Sequence, residues 1–494
     1  MDLVREHIIH SRGGRLGTGA SSKDDASRIA AQAFKTTAPG GIALHFHGGL
    51  VSSSSAQGIA ARLTEHYQSA GAYPLFFVWE SGLLEAIRNN LKDILQDKVF
   101  HELLKKASEW VLKKGTGTIV TRGSGQTVEV DRLRRDFDLW LSGQAAEPPI
   151  RETAPPAAQT FKNLQTDEEE LANEIAAEIE LDPVFEQTIA GLAVASQRVA
   201  SVTTRGAGIE PLPVQVLIDA GALEQMLPHQ PATTKGGIPW LSVARFVAKV
   251  VIATLQRYLN KRDHGAYTTI VEEVLRAAYL DKVGQVIWNQ MKKDAGADAF
   301  GAADAVGDVV LQAWKRCLDE GTSAPRITLI GHSTGAIYIN AWLRRSAQLT
   351  PGLKYDLVLL APACRTEEYV AMLSQCGAQI GQVRMFAMQD AVEQQDRLVP
   401  ILYPRSLLYF VSGVVEGEVD IPLLGMQRFL ADPATFDQGY MNQLRQHLDQ
   451  GDRAVWSIAD LGPGKHSASV AHGDFDNDAA TLDSLAHILS NGFN

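Results

Sequence analysis

The sequence predicts an α/β protein: a mostly parallel sheet, covered by helices on both faces and interrupted by a large, mainly helical insertion. Three observations carry this expectation. Short, almost continuously apolar segments suited to strands buried on both sides occur near both ends of the chain: GIALHF (41–46), YPLFFVW (73–79), RITLI (326–330), DLVLLA (356–361) and VRMFAM (383–388). Helical candidates stand between or after them, the alternation that builds parallel sheets. From about 84 to 299 the strand-like runs give way to apolar residues at three- and four-residue steps. The expected organisation is residues 1–83 and 300–494 as two parts of one core, with 84–299 as a helical insertion or cap.

In chain order, the first strand stops at His47-Gly48-Gly49-Leu50, and the serines from Ser52 to Ser55 can cap a helix over 56–69. The 73–79 strand follows. Leu84, Ile87, Leu91, Ile94 and Leu95 then mark helical periodicity that continues through Leu103, Leu104, Ala107 and Val111, with Lys113-Lys114-Gly115 as a helix end. The Pro/Ala/Thr-rich stretch 147–160 reads as an exposed loop, and Thr166 with Glu169 forms a capping box opening an acidic helix through about Glu180. Residues 210–239, rich in proline and glycine, are expected to be irregular, and helices are expected over 241–259 and from Thr268 to about Asp294. A helix over about 302–320 leads back to the strands, among which RAVWSI (453–458) is a weaker candidate. Helices near 336–346, 367–375 and 479–489 complete the alternation.

Composition narrows the function. At 494 residues, with 45% apolar and 21% charged side chains, the chain can bury a sizeable core and is neither disordered nor fibrous. Its 46 Lys+Arg against 57 Asp+Glu leave a net charge of −11, which opposes phosphate backbones and argues against nucleic acid as a partner. Cys317, Cys364 and Cys376 form no CxxC pair, which argues against a disulfide framework and a zinc knuckle. The stretch Met1 to Arg12 lacks the features of a secretory signal, and Leu241 to Leu259 is broken by Arg245, Lys249 and Arg257, so no transmembrane segment is expected. Cytoplasmic residence is the default expectation, with signal-independent export and peripheral membrane contact left open.

The sharpest motif is Gly331-His332-Ser333-Thr334-Gly335, which fits G-x-S-x-G. Alone it is a weak pattern, but it follows the RITLI strand and precedes the helical run AIYINAWLRR, the strand-turn-helix setting that the chemistry needs. A serine on such a tight turn projects its hydroxyl above the sheet, and the glycines let strand and helix approach. The N-terminus of the following helix favours the anion that develops in acyl transfer. Ser333 is therefore the candidate nucleophile.

With these residues in their setting, the chain resembles the α/β-hydrolase superfamily, specifically its lipase- and esterase-like members, over about 1–83 and 300–494. The resemblance implies further parts in a fixed chain order. His47-Gly48-Gly49-Leu50 looks like the family's oxyanion loop, with backbone N–H groups at Gly48 and Gly49 and a second donor from Thr334. A catalytic histidine is implied after the last strand: His472, in His472-Gly473-Asp474-Phe475 before the final helix, is preferred to His466 and to His487 inside that helix. An acid is implied after VRMFAM, where Asp396, in Asp-Arg-Leu-Val-Pro, and Asp390 both qualify, with Asp396 favoured. Glu393 lies between them. His45 and His47 are spaced as H-x-H, but no third metal ligand is apparent nearby, and the resemblance gives His47 a structural place beside the loop.

The expected activity is hydrolysis of a carboxylic ester through a Ser-His-Asp triad and an acyl-enzyme, without metal or cofactor. The substrate class is a small-molecule ester or a lipid, since a helical cap with apolar inner faces suits an acyl chain. Amide or thioester cleavage, acyl transfer, and a non-catalytic binding or interaction role on the same fold are the alternatives. Tyr403 to Phe410 reads as a core or pocket-lining helix, and Glu80 and Ser81 as capping residues or as part of the site's mouth.

Overall fold

The computed structural model describes residues 6–48, 53–79, 83–114, 130–150, 152, 168–203, 216–228 and 238–493. Strands β1 (Ile8–Ser11), β2 (Ile42–Phe46), β3 (Tyr73–Trp79), β4 (Ile327–His332), β5 (Tyr355–Leu360), β6 (Ile380–Met388) and β7 (Ala454–Ser457) form one sheet in the order β1-β3-β2-β4-β5-β6-β7. Every neighbouring pair is parallel. The chain leaves β2 toward β3 on one side and β4 toward β5 on the other, so the crevice at the carboxyl ends of β2 and β4 is the topological switch point of the sheet. The register Phe46↔Gly331 brings those two ends level. A short antiparallel pair, β8 (Ala459–Asp460) and β9 (His466–Ser467), follows β7.

Alternate residues of the strands feed two cores, as the period of two requires. Leu44, Phe46, Leu75, Phe77, Trp79, Leu329, Leu357 and Leu359 enter one, with the helices Lys23–Phe34, Val306–Asp319 and Gly335–Leu349. Ala43, Phe76, Val78, Ile330, Val358, Leu360 and Phe386 enter the other, covered by Ser53–Ser69 and Ala479–Asn491. This two-sided cover explains why the central strands read as unbroken apolar runs.

The span expected to be helical contains Leu83–Leu95, Lys98–Lys114, Val130–Leu141, Glu168–Ile179, Pro183–Thr203, Ala220–Met226, Trp240–Leu259, Ala266–Ala278 and Gln285–Ala295. Their buried side chains belong to the same apolar cluster as the first sheet face. Buried charges also tie this span to the C-terminal part. His264 Nδ1 lies 2.8 Å from Glu272 and its Nε2 2.8 Å from Asp420, while Arg405 donates to the His264 carbonyl at 2.9 Å.

Several expectations need correction. The single helix from Thr268 to about Asp294 is two helices, broken at Tyr279 to Gly284, where Gly284 takes the left-handed conformation with φ 102°. The stretch 210–239, read as irregular, contains the helix Ala220–Met226, and Thr166 of the capping box lies outside the described residues. β1 has no counterpart among the expected strands, because four residues, two of them His10 and Ser11, leave almost no apolar run to detect. The helix expected within Tyr403 to Phe410 is a single turn, Leu407–Phe410, that continues as a wider turn over Val411–Val415. Among the described residues, no helix is long and apolar enough to cross a membrane.

Candidate active site

Ser333 follows β4 directly and has φ 53°, a left-handed conformation that an L-residue holds only when its surroundings enforce it. The enforcement is visible on both sides of the peptide. Its N–H donates to the Leu360 carbonyl at 2.8 Å, and its carbonyl accepts from Ala363 at 3.0 Å and Ala336 at 3.2 Å. A Cβ on Gly335 would lie 2.4 Å from the Phe46 carbonyl oxygen, and one on Gly331 2.7 Å from Ile339. Both glycines of the pentapeptide are therefore needed for β2, β4 and the Gly335–Leu349 helix to approach.

The Ser333 hydroxyl lies 2.9 Å from Nε2 of His472, which the loop after β9 carries back over the carboxyl end of β4. Both residues are buried, at 1% and 4% exposure. Burial, followed by the charge of His332, pushes the His472 imidazole down to about 3, so the ring is neutral at pH 7 and can accept the serine proton. With Nε2 accepting, the ring proton sits on Nδ1. That atom is buried and has no hydrogen-bond partner among the described residues.

The two acid candidates are in different places. Asp396 accepts the backbone N–H of His472 at 2.9 Å and lines the cavity beside it; burial raises its carboxyl above the usual range, against the pull of the His472 N–H and Arg88. Asp390 accepts from the Tyr409 hydroxyl at 2.6 Å and from Gln394 at 2.7 Å, and it is not bonded to His472. Glu393 between them is fully buried and accepts from Ser406 at 2.9 Å. His466 sits on β9 with its N–H bonded to Ser484, and His487 lies in the Ala479–Asn491 helix facing Asn491. Neither reaches Ser333.

Of the oxyanion candidates, Gly48 packs against Ser333: a Cβ there would lie 3.3 Å from the Ser333 Cβ. Thr334 holds the N-cap position of the Gly335–Leu349 helix without a side-chain capping bond, and that N-terminus begins beside Ser333. Gly49, with Leu50, Ser52, Glu80 and Ser81, lies outside the described residues. His47 stacks on Trp79 with ring centroids 4.0 Å apart, accepts the Trp79 N–H at 3.1 Å through Nε2 and meets the Gly48 carbonyl at 2.6 Å through Nδ1. His45 meets the Tyr67 hydroxyl at 2.8 Å. Among the described residues no group of three or more His, Cys, Asp or Glu is placed to hold a metal.

Sequence reasoning missed two residues of this site, His332 and Asp476. Nε2 of His332 donates to the His472 carbonyl at 2.9 Å, and its Nδ1 lies 3.5 Å from an oxygen of Asp476. In the sequence His332 stands directly before the serine and Asp476 four residues after His472, positions that by spacing alone assign no role to either. A cavity of about 290 Å³ opens here, with Ile59, Leu398 and Leu407 on an apolar side and Arg88, Asp396 and Asp476 among its polar residues.

No family model, curated protein or solved structure matches the chain.

Proposed function

We propose that the chain is a serine hydrolase of the α/β-hydrolase type that cleaves a carboxylic ester through an acyl-enzyme. The observation that carries this reading is the 2.9 Å contact between Ser333 Oγ and His472 Nε2, with the serine on a left-handed turn. Its position at the switch point of a parallel sheet, and the chain order serine, Asp396, histidine, support the same reading.

The chemistry follows from the geometry. Ser333 attacks the ester carbonyl as Nε2 of His472 takes its proton. The oxyanion forms over the N-terminus of the Gly335–Leu349 helix, beside Gly48, where backbone donors offset its charge. The protonated His472 then delivers its proton to the leaving alkoxide; water attacks the acyl-enzyme carbonyl as His472 takes its proton, and that proton returns to Ser333 Oγ as the acid is released. Asp396 is the carboxylate proposed to orient His472, and the apolar wall of Ile59, Leu398 and Leu407 is proposed to receive the acyl group. The helical span beyond β3 would then act as a cap over the site.

One observation favours a second reading. Among the described residues, Nδ1 of His472 has no carboxylate partner of the kind a complete triad provides, which fits a protein that binds a ligand without turning it over. Release of p-nitrophenol from acetate, octanoate and palmitate esters by wild type and Ser333→Ala, both checked for folding by circular dichroism, separates the two. Ester hydrolysis lost in the folded Ser333→Ala variant supports the hydrolase. No hydrolysis of any ester by folded wild type supports the binding protein.

A further inference from the structure

Four buried histidines, His45, His47, His332 and His472, stand toward or over the carboxyl ends of β2 and β4, and the buried carboxylate of Asp476 acts on the charge of each. The hydrolase reading uses only His472. We propose that His332, held as an imidazolium between the His472 carbonyl and the Asp476 carboxylate, is a positioning residue that fixes the His472 loop and keeps the His472 ring uncharged until Ser333 releases its proton. The inference rests on the serine-hydrolase reading and deepens it.

The hydrogen bonds set the charge. A carbonyl oxygen can only accept, so Nε2 of His332, 2.9 Å from the His472 carbonyl, carries a proton. Nδ1 faces a carboxylate oxygen at 3.5 Å, and an ionised carboxylate also only accepts. The ring that satisfies both neighbours is doubly protonated. Burial works against that charge, but the Asp476 side chain outweighs it and raises His332 above its ordinary value. Asp476, though burial opposes its charge too, is held below its ordinary range by the same pair.

This ring lies beside the proposed base, with the His332 and His472 centroids 5.6 Å apart. A second positive charge at that separation disfavours an imidazolium at His472. The other groups around the pair are identifiable. His45 and His47, from the end of β2, are pushed down to about 3 and about 4, chiefly by burial, and are neutral at pH 7. Arg62, from the Ser53–Ser69 helix, donates to the Asp476 carbonyl at 3.1 Å; Asp474 acts on His332 from the same loop. Asp396 and Arg88 line the cavity at the His472 backbone.

A purely structural clamp and a charged one differ in their pH profiles. The test is kcat/KM against pH on p-nitrophenyl acetate for wild type and His332→Gln, which keeps an N–H donor for the carbonyl and removes the charge. The proposal predicts that the acid limb moves to higher pH by about one unit or more, with the plateau falling no more than about tenfold. An unmoved acid limb, with or without a uniform loss of rate, overturns it. Ring-nitrogen NMR of ¹⁵N-histidine-labelled protein provides a second measurement that needs neither turnover nor a stable His332→Gln variant. At pH 7 a doubly protonated ring should shift on Ser333→Ala, and if every ring that responds is neutral the proposal is overturned. Folded wild type that hydrolyses no ester and takes no fluorophosphonate on Ser333 would sink the hydrolase reading, while the NMR result would still decide the charge on His332.

Discussion

The carboxylate of Asp396 accepts the backbone N–H of His472 at 2.9 Å and makes no ion pair with the ring of the same residue. It therefore holds the loop that presents the imidazole. As the only one of the two acid candidates bonded to His472, it is the one expected to matter for catalysis. Asp396→Asn keeps an acceptor for the N–H and removes the charge, and, since its partner is the backbone and not the ring, should lower kcat by about tenfold with the fold intact. Asp390→Asn should leave kcat within a few fold and cost about 1 kcal/mol through the weakened Tyr409 contact. Steady-state kinetics and urea unfolding of the two variants check both statements, and the reverse ranking would exchange the roles of the two carboxylates.

Gly335→Ala tests the close approach of β2 to the turn. The added methyl would lie 2.4 Å from the Phe46 carbonyl oxygen, a rigid backbone atom, so the strand or the helix has to move. The expected cost is about 1–3 kcal/mol of stability, measured by urea unfolding, together with a loss of activity as Ser333 shifts against His472.

His264→Ala should destabilise by roughly 3 kcal/mol, because it leaves Glu272 and Asp420 buried without the ring that lies 2.8 Å from each. The pH dependence has a definite sign. Burial pushes the Glu272 carboxyl up, but His264 and Arg257 overcome it and hold it at about 2 against 4.5 for the free group. Its contribution is complete above pH 4.5 and is lost as the pH falls toward 2. Thermal unfolding of wild type should therefore drop steeply between pH 4 and pH 2, and the drop should be shallower in Glu272→Gln, which starts from a lower value.

Glu393 has the opposite sign. Burial raises its carboxyl well above the usual range, against the hydrogen bond from Ser406, so the folded state prefers the protonated form. Stability is lost as pH rises from the unfolded value through the folded one. Glu393→Gln should match wild type in melting temperature at pH 4 and exceed it by a few degrees at pH 8. Equal melting temperatures at both values would show that Glu393 is ionised at no cost.

The legible parts of the sequence were those where one physical rule acts locally. Central strands such as YPLFFVW announce themselves because burial on both faces leaves no polar positions, and Gly331 and Gly335 bracket Ser333 because the turn leaves no room for a Cβ. β1 was hidden because His10 and Ser11 give it half an apolar run, and its place beside β3 depends on a pairing 68 residues distant. The break at Tyr279 to Gly284 was hidden because apolar spacing continues across it. His332 and Asp476 could not be assigned from spacing alone: their relation to His472 exists only once a loop 139 residues later in the chain closes over Ser333.

The central claim is that Ser333 is a nucleophile activated by His472, and active-site labelling tests it most directly. Wild type, Ser333→Ala and His472→Gln, each shown to be folded, would be treated with a fluorophosphonate and the adducts located by peptide mass spectrometry. The account predicts one adduct, on Ser333, absent in Ser333→Ala and formed at least about a hundredfold more slowly in His472→Gln. No adduct on Ser333 in folded wild type, or one formed equally fast without His472, would contradict it.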